Sequence, residues 1–391
     1  MKSGVSAMRD CRTVCKPRQC AGCMACIDIC PKGAIEVEDR AEYMDARVVS
    51  KKCISCGLCH KVCQRNRPAP LYETVVSYQG WADQEIRKRG SSGGFATAIM
   101  ESFVQGGGTV ASCKLVGGEF RFSIARNRAE LVGFSGSKYV KSNPIGIYRT
   151  VVAELKLGQR VLFIGLPCQV SALRNHASLL HSPDESLFTV DLICHGTPSI
   201  RLLRMALGEY GYDLNRLDDV LFRESAAFGL RANAKRIEPA GVVDRYSAAF
   251  LKGAIYTENC YSCQYAQRDR VSDLTLGDSW GTDLSDEEPK GVSLALVQTD
   301  KGEKLLRDAG VELRPVDYEN AVEHNGQLQH PSEKPAVREA LFNRIECGST
   351  FKSAVFAAYP KYCLKQEIKG ILSRLGFISG GGYAISVMSM R

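Results

Sequence analysis

Four cysteines spaced C-x2-C-x2-C-x3-C occur twice in this chain, first at Cys20, Cys23, Cys26 and Cys30 and again 33 residues later at Cys53, Cys56, Cys59 and Cys63. No other feature restricts the fold so narrowly. A two-residue gap lets one tight loop turn three thiols to the same side, and the repeat makes two such loops. The 391 residues hold 17 cysteines in all. The first residues have no apolar core of a signal peptide, and no run of about 18 apolar residues follows. That predicts a cytoplasmic protein without a membrane span. Disulfides are rare in such a compartment, so clustered cysteines point to metal instead.

The spacing is that of bacterial two-cluster ferredoxins, in which the fourth cysteine of each run ligates the other cluster. One [4Fe–4S] cluster is therefore assigned to Cys20, Cys23, Cys26 and Cys63, and the second to Cys53, Cys56, Cys59 and Cys30. Ala21, Gly22, Ala25 and Gly57 are small enough for backbone to wrap closely and aim N–H groups at sulfur. Pro31 follows the first run, whereas Gln64 stands in that place after the second. A pair of zinc ribbons is the competing reading, but those sites use two C-x2-C pairs with a longer spacer. Short apolar runs at 34–37 and 46–50 predict a hairpin between the cluster loops. Spacing gives Cys11 and Cys15 no role.

Net charge is +8, which raises the question of nucleic acid. Residues 1–70 carry thirteen Lys/Arg against seven Asp/Glu. A [4Fe–4S] core with four thiolates carries about −2, so two or three clusters cancel much of that excess. The rest reads as solvated surface or as a basic face for an acidic redox partner, and nucleic acid is not expected.

After Pro68 and Pro70 the pattern becomes α/β. Strands are predicted at 74–80, 109–113, 120–125, 160–164, 187–193, 220–223, 274–277 and 292–298, and helices at 94–103, 145–155, 169–176, 200–210 and 301–309. Their alternation implies a mixed sheet with flanking helices. A Gly/Ser stretch at 90–95 opens one helix, either as a phosphate-binding end or as a plain turn. Cys168 and Cys194 each lie just past a strand, and Cys260 and Cys263 form a C-x2-C pair. These four either hold another [4Fe–4S] cluster, or leave Cys168 and Cys194 as small core residues. Cys113, Cys347 and Cys363 have no partner spacing.

The blocks 90–95, 136–139, 165–169, 194–196, the Cys260/Cys263 pair and 273–281 together resemble the β-subunit family of coenzyme F420 hydrogenase and dehydrogenase. With the ferredoxin repeat they span about residues 18–300. The resemblance implies an iron–sulfur flavoprotein oxidoreductase that passes electrons between FAD and [4Fe–4S] clusters. A hydride donor or acceptor such as coenzyme F420 would meet the flavin. It also implies that Cys168, Cys194, Cys260 and Cys263 ligate a third, core cluster near the flavin. Ser91, Ser92, Gly93, Gly94, Lys138 and Tyr139 match blocks placed around FAD. Lys138 would stabilise reduced flavin, with an exposed lysine as the alternative; His195 and Asp278 read as structural first, and Trp280 equally as core or as a flavin neighbour.

The fold class expected is α+β. A ferredoxin-like domain (1–70) precedes a mixed α/β flavin-binding domain in two parts (71–155 and 156–330) and a helical tail (331–391). In that tail Ile368, Ile371, Leu372, Leu375 and Ile378 share one apolar face opposite Lys365, Lys369 and Arg374, which predicts a packed helix, with membrane-surface docking as the alternative. Gly380–382 reads as a mobile end. The partner is either a redox protein or a small electron donor. The competing function is an electron-transfer adaptor in a larger redox complex, without substrate chemistry of its own.

Overall fold

The structure is a computed structural model and describes residues 13–224 and 227–377. Cys11, Ile378 and the glycines at 380–382 lie outside the described residues. The N-terminal module holds helix α1 (Ala25–Ile29), strands β1 (Ile35–Asp39) and β2 (Met44–Val48) and helix α2 (Leu58–Val62). The two strands pair antiparallel, Ile35 opposite Val48 and Asp39 opposite Met44. The hairpin foreseen between the cluster loops is present.

The larger part begins with β3 (Val76–Trp81), α3 (Gln84–Arg89), α4 (Phe95–Gln105), β4 (Thr109–Val116) and β5 (Glu119–Ala125). It continues with α5 (Ile147–Lys156), β6 (Val161–Gly165), α6 (Pro167–Leu179), β7 (Leu187–Leu192) and α7 (Ile200–Glu209). A side sheet contains β8 (Val220–Glu224), β9 (Ala227–Ala232) and β10 (Lys235–Arg236), followed by α8 (Arg245–Leu251). Then come β11 (Leu274–Asp278), β12 (Ser293–Val297), α9 (Asp300–Asp308), β13 (Glu312–Pro315), α10 (Tyr318–His324), α11 (Arg338–Glu346), α12 (Phe351–Ala358) and α13 (Pro360–Arg374). The main sheet has the order β13-β3-β12-β11-β7-β6-β4-β5. Strands β4, β6, β7 and β11 run parallel, and antiparallel strands finish both edges. Strands β6 and β12 are buried along their whole length, as continuous apolar runs in a two-sided sheet must be.

The N-terminal module is anchored to this sheet rather than tethered to it. Asp28 accepts hydrogen bonds from the Gly146 and Tyr148 amides at 2.8 and 3.2 Å and so caps α5. Tyr148 donates to the Cys23 carbonyl at 2.7 Å. Arg338, fully buried, pairs with Glu42 at 2.6 Å and Glu258 at 3.0 Å. One apolar core runs from Val14, Ile29 and Val62 through Tyr148 to Phe163 and Leu173.

Helix α13 departs from expectation. It buries Cys363, Gln366 and Gly370, while Ile368, Ile371, Leu372 and Leu375 face outward with 38–65% exposure. Specific contacts, rather than apolar area, set its rotation. The Gln366 side chain accepts the Val243 amide at 3.0 Å, and Glu367 and Arg374 pair with Arg245 and Glu238.

His176 on α6 is fully buried, with its ring 6.0 Å from that of Tyr148. Burial, reinforced by Arg149, brings its pKa down to about 4. The unfolded chain binds a proton at about pH 6.5, so the stability tied to neutral His176 is complete above 6.5. It is lost as pH falls toward 4, by about 3 kcal/mol at 1.36 kcal/mol per unit. Urea midpoints at pH 7 and pH 4.5 should therefore converge in His176→Phe relative to the parent.

Candidate functional site

Cys20, Cys23, Cys26 and Cys63 are each at most 8% exposed, and all four wall one small cavity. Burial first, then the Cys63 sulfur, raises the Cys23 pKa, and burial, Cys20 and Cys63 raise Cys26. The neighbours that add to burial at Cys59 are Cys30, Cys53 and Cys56. The fourth cysteine of the second run thus shares a cavity with the first three of the first run, and Cys30 acts electrostatically on Cys59 together with Cys53 and Cys56. The two sets differ in depth, since Cys56 is exposed and Cys30, Cys53 and Cys59 are half-buried.

The loops around them repeat the same backbone. Gly22 and Ser55, 33 residues apart, have φ of 67° and 56°, and Met24 and Gly57, again 33 apart, have φ of 59° and 73°. A left-handed methionine and serine cost conformational energy and persist only where the surroundings demand that shape. It brings the Gly22 amide to 3.4 Å from the Cys20 sulfur, and Ser55 to the same distance from Cys53. The Ala34 amide is 3.3 Å from the Cys30 sulfur. Amides aimed at sulfur suit thiolates that carry an iron cluster. Among the described residues no three His, Cys, Asp or Glu groups converge in the way a single metal ion requires.

Spacing missed Cys15. Its thiol is buried in the same cavity wall and hydrogen-bonds both Cys20 and Cys63. That bond lowers the Cys20 pKa and holds Cys63 down to about 6.

The four later cysteines also come together. Cys168 stands in the first turn of α6 behind Pro167, Cys194 follows β7, and Cys260 lies in a single turn, Glu258–Ser262, that ends at Cys263. Burial raises Cys194, and Cys260, Cys168 and Cys263 add to it. Burial also raises Cys168, with Cys23, Cys263 and Cys260 contributing against the charge of Lys141. Cys23 thereby links this core set to the buried set of the N-terminal module. Lys141, 7% exposed, lies between them, donates to the Ala21 carbonyl at 2.9 Å and favours thiolate at both Cys20 and Cys168. Sequence reasoning chose Lys138 and passed over Lys141, because nothing in spacing shows which lysine turns inward.

A cavity of about 280 Å³ lies beyond the carboxyl ends of β6, β7 and β11, where open parallel sheets place their ligands. Cys194, His195, Asp278 and Trp280 line it, as does Cys113, whose thiol burial pushes up to about 11. Ser91, Ser92, Gly94, Lys138 and Tyr139 line it too. Gly93 does not line it: a Cβ there would lie 2.2 Å from the Gly80 carbonyl, so this residue serves the close packing of loop on β3. Gly94, at φ 88°, starts α4 without a side-chain cap. The first-turn amides of an eleven-residue helix thus lack a capping side chain at a cavity wall, an arrangement suited to phosphate.

The two loops at the mouth are joined. The Ser91 hydroxyl accepts the Ser137 amide at 2.5 Å, and Ser92 donates to the Val292 carbonyl at 2.8 Å. Lys138 Nζ donates to the carbonyls of Phe134, Ser135 and Gly136 at 2.5, 2.8 and 2.9 Å, and burial draws its pKa down to about 8. The ammonium is therefore committed to shaping its own loop. Tyr139 stacks on Phe250 with ring centroids 4.5 Å apart. Arg223, 7% exposed, forms a two-pronged pair with Asp278 at 2.7 and 2.8 Å and lies over Trp280. Sequence reasoning read Asp278 as a turn former and missed Arg223, whose strand gives no hint of a partner 55 residues away. The apolar and aromatic wall, the uncapped helix end and the Arg223–Asp278 pair together fit a flavin dinucleotide.

Residues 19–66 match the family described as 4Fe-4S dicluster domain, and residues 158–318 match the family of the C-terminal part of coenzyme F420 hydrogenase/dehydrogenase beta subunits. The coenzyme F420-dependent sulfite reductase of Methanocaldococcus jannaschii is 22% identical over 314 residues, covering 73% of this chain and 45% of that protein. An uncharacterized protein of the same organism, MJ1349, is 22% identical over 188 residues, 40% of this chain and 52% of that one. The chain thus spans about half the length of these curated relatives. A chain in a structure of the F420-reducing [NiFe] hydrogenase complex from Methanosarcina barkeri superposes with a TM-score of 0.48 at 20% identity. That match covers 71% of this chain and 94% of that one.

Proposed function

Because the chain joins a 4Fe-4S dicluster domain to the C-terminal domain of the coenzyme F420 hydrogenase/dehydrogenase β-subunit family, we propose that it is a flavin- and iron–sulfur-dependent oxidoreductase. FAD would lie partly within the cavity of about 280 Å³, and a third [4Fe–4S] cluster would take the core set of Cys168, Cys194, Cys260 and Cys263. Bound flavin exchanges a hydride with an organic carrier such as coenzyme F420 as two electrons and parts with them singly, which suits clusters that carry one each.

One observation carries this reading. Cys194 in the cavity wall is influenced electrostatically by Cys168, Cys260 and Cys263, Cys168 by Cys23, and Cys26 by Cys59, while Cys56 is exposed. Residues of this chain supply the rest. The first turn of α4 would hold the dinucleotide phosphates, and Tyr139 and Trp280 would offer rings to the flavin. Arg223, held by Asp278, presents fixed positive charge, and Lys141 offsets the negative charge of the two inner clusters.

Anaerobic purification followed by iron, sulfide and flavin analysis tests the proposal. About twelve iron atoms and one FAD per chain are expected from the cysteine count. Oxidation of reduced deazaflavin by the isolated chain with an artificial acceptor separates it from an adaptor without substrate chemistry. Clusters without flavin, and no flavin uptake on reconstitution, would leave the adaptor.

Lys138→Ala gives a second check. Loss of even one charge-assisted hydrogen bond in the 134–138 loop costs about 1.5–3 kcal/mol, so flavin retention should weaken at least about tenfold. The potential of whatever flavin remains should hardly move. A large potential change with unaltered affinity would instead restore Lys138 as a charge acting on the ring.

A further inference from the structure

The outermost thiol set lies in a stretch of sequence whose charges have one sign. From residue 46 to residue 72 the sequence contains no Asp or Glu but six Lys/Arg. Lys51 and Lys52 immediately precede Cys53, Lys61 lies two residues beyond Cys59, and Lys32 two beyond Cys30. All four lysines are exposed, and among the described residues none has an acidic side chain within ion-pair distance. In the same loop as Lys51 and Lys52, Cys56 is exposed, and the neighbouring Ile54 is 56% exposed. Elsewhere in the module Arg47 and Arg40 meet Glu38, and Arg18 meets Glu42.

We propose that this face docks a small one-electron carrier protein with an acidic surface, and that electrons leave or enter the chain through the Cys30/Cys53/Cys56/Cys59 cluster. The proposal rests on the cluster assignment above. A [4Fe–4S] core with four thiolates carries about −2 by itself and would repel an acidic carrier; the four lysines reverse the sign of the field that such a carrier meets. A one-signed patch steers encounters over about a Debye length and raises their rate by about 10- to 1,000-fold. An exposed isoleucine amid lysines supplies the apolar contact that a brief complex needs at its centre. Each encounter moves one electron from the reduced cluster to the oxidised carrier, so two encounters clear one hydride.

The test uses the full-length anaerobic protein reduced with dithionite, an acidic flavodoxin as acceptor and uncharged menadione as control. Bleaching of the iron–sulfur absorbance is read first; its absence would defeat the clusters themselves. With bleaching secured, transfer to flavodoxin should fall at least about tenfold as salt rises from about 0.01 M to about 0.15 M, while menadione stays constant. The triple variant Lys51→Glu, Lys52→Glu, Lys61→Glu should lose at least as much at low salt and leave menadione oxidation unchanged. The corresponding Lys→Gln variant should fall between. A flavodoxin rate indifferent to salt, or equal losses for both acceptors in the Glu and Gln variants, overturns the docking face.

Discussion

Cys63→Ala should strip the cluster of the first loop, not that of its own. Cys63 is 8% exposed, walls the cavity with Cys20, Cys23 and Cys26, and acts electrostatically on Cys23 and Cys26. The thiols that act electrostatically on Cys59 are instead Cys30, Cys53 and Cys56. Removing the sulfur of residue 63 would leave the buried cluster with three of its four ligands. Iron should drop by about four atoms per chain. The surviving spectroscopic signals should be those of the surface cluster and of the proposed core cluster. Cys20→Ala should give the same spectrum, and Cys30→Ala should match Cys56→Ala. Stability should separate the pairs as well. Metal binding contributes folding free energy wherever the site is absent from the unfolded chain. The Cys63 site lies in the core that joins the module to α5 and α6, so its loss should reach the larger domain. The Cys56 site lies at the surface, and its loss should remain local. If Cys63→Ala shared its residual spectrum with Cys56→Ala, the crossed assignment would be wrong.

How much of this could be read from the chain follows from how local each feature is. Both cysteine runs and the strands of the main sheet were legible, because two-residue gaps and short apolar runs bounded by glycine are local patterns. The edge strand β13 escaped, since its four residues alternate without apolar emphasis. Lys141 and Arg223 escaped for another reason. A lysine next to Lys138 in a loop, and an arginine at a strand end, look like solvated charge until the fold supplies the Ala21 carbonyl and the Asp278 carboxylate. The apolar stripe of α13 was read correctly as a stripe, but its direction was not. Periodicity tells which residues share a face, whereas the contacts of Gln366 and Glu367 decide which face turns inward. Cys15 sits upstream of the matched dicluster segment, outside any repeat, so only the folded loop could bring it to Cys20 and Cys63.

The other large effect is expected at Arg270, far from any cysteine run in pattern but central to the core set. Arg270 and Asp191 are 2% and 0% exposed, and their side chains meet at 2.9 Å. Asp191 belongs to β7, which delivers Cys194; Arg270 ends the loop that follows Cys263 and donates to the Tyr265 carbonyl at 3.0 Å and to Thr275 at 3.2 Å. Its backbone also pairs with Tyr72 in both directions, at 2.7 and 2.9 Å. One side chain therefore clamps the two segments that carry most of the core thiols. Arg270→Met leaves a buried carboxylate without its cation and should cost about 3–5 kcal/mol, a large share of the about 5–15 kcal/mol that keeps a protein folded. Asp191→Leu combined with Arg270→Met removes the stranded charge, and most of that stability should return, because two apolar groups carry no desolvation penalty. Iron in the core set should not return with it. The loop carbonyls of Tyr265 and Gln267 still lack their donor, so Cys260 and Cys263 would be held less firmly against Cys194. Urea midpoints and iron content measured on the same samples distinguish the two effects. Equal instability of single and double variants would show that the hydrogen bonds, not the unpaired charge, set the cost. Full iron in the double variant would show that the clamp holds the fold without positioning the thiols.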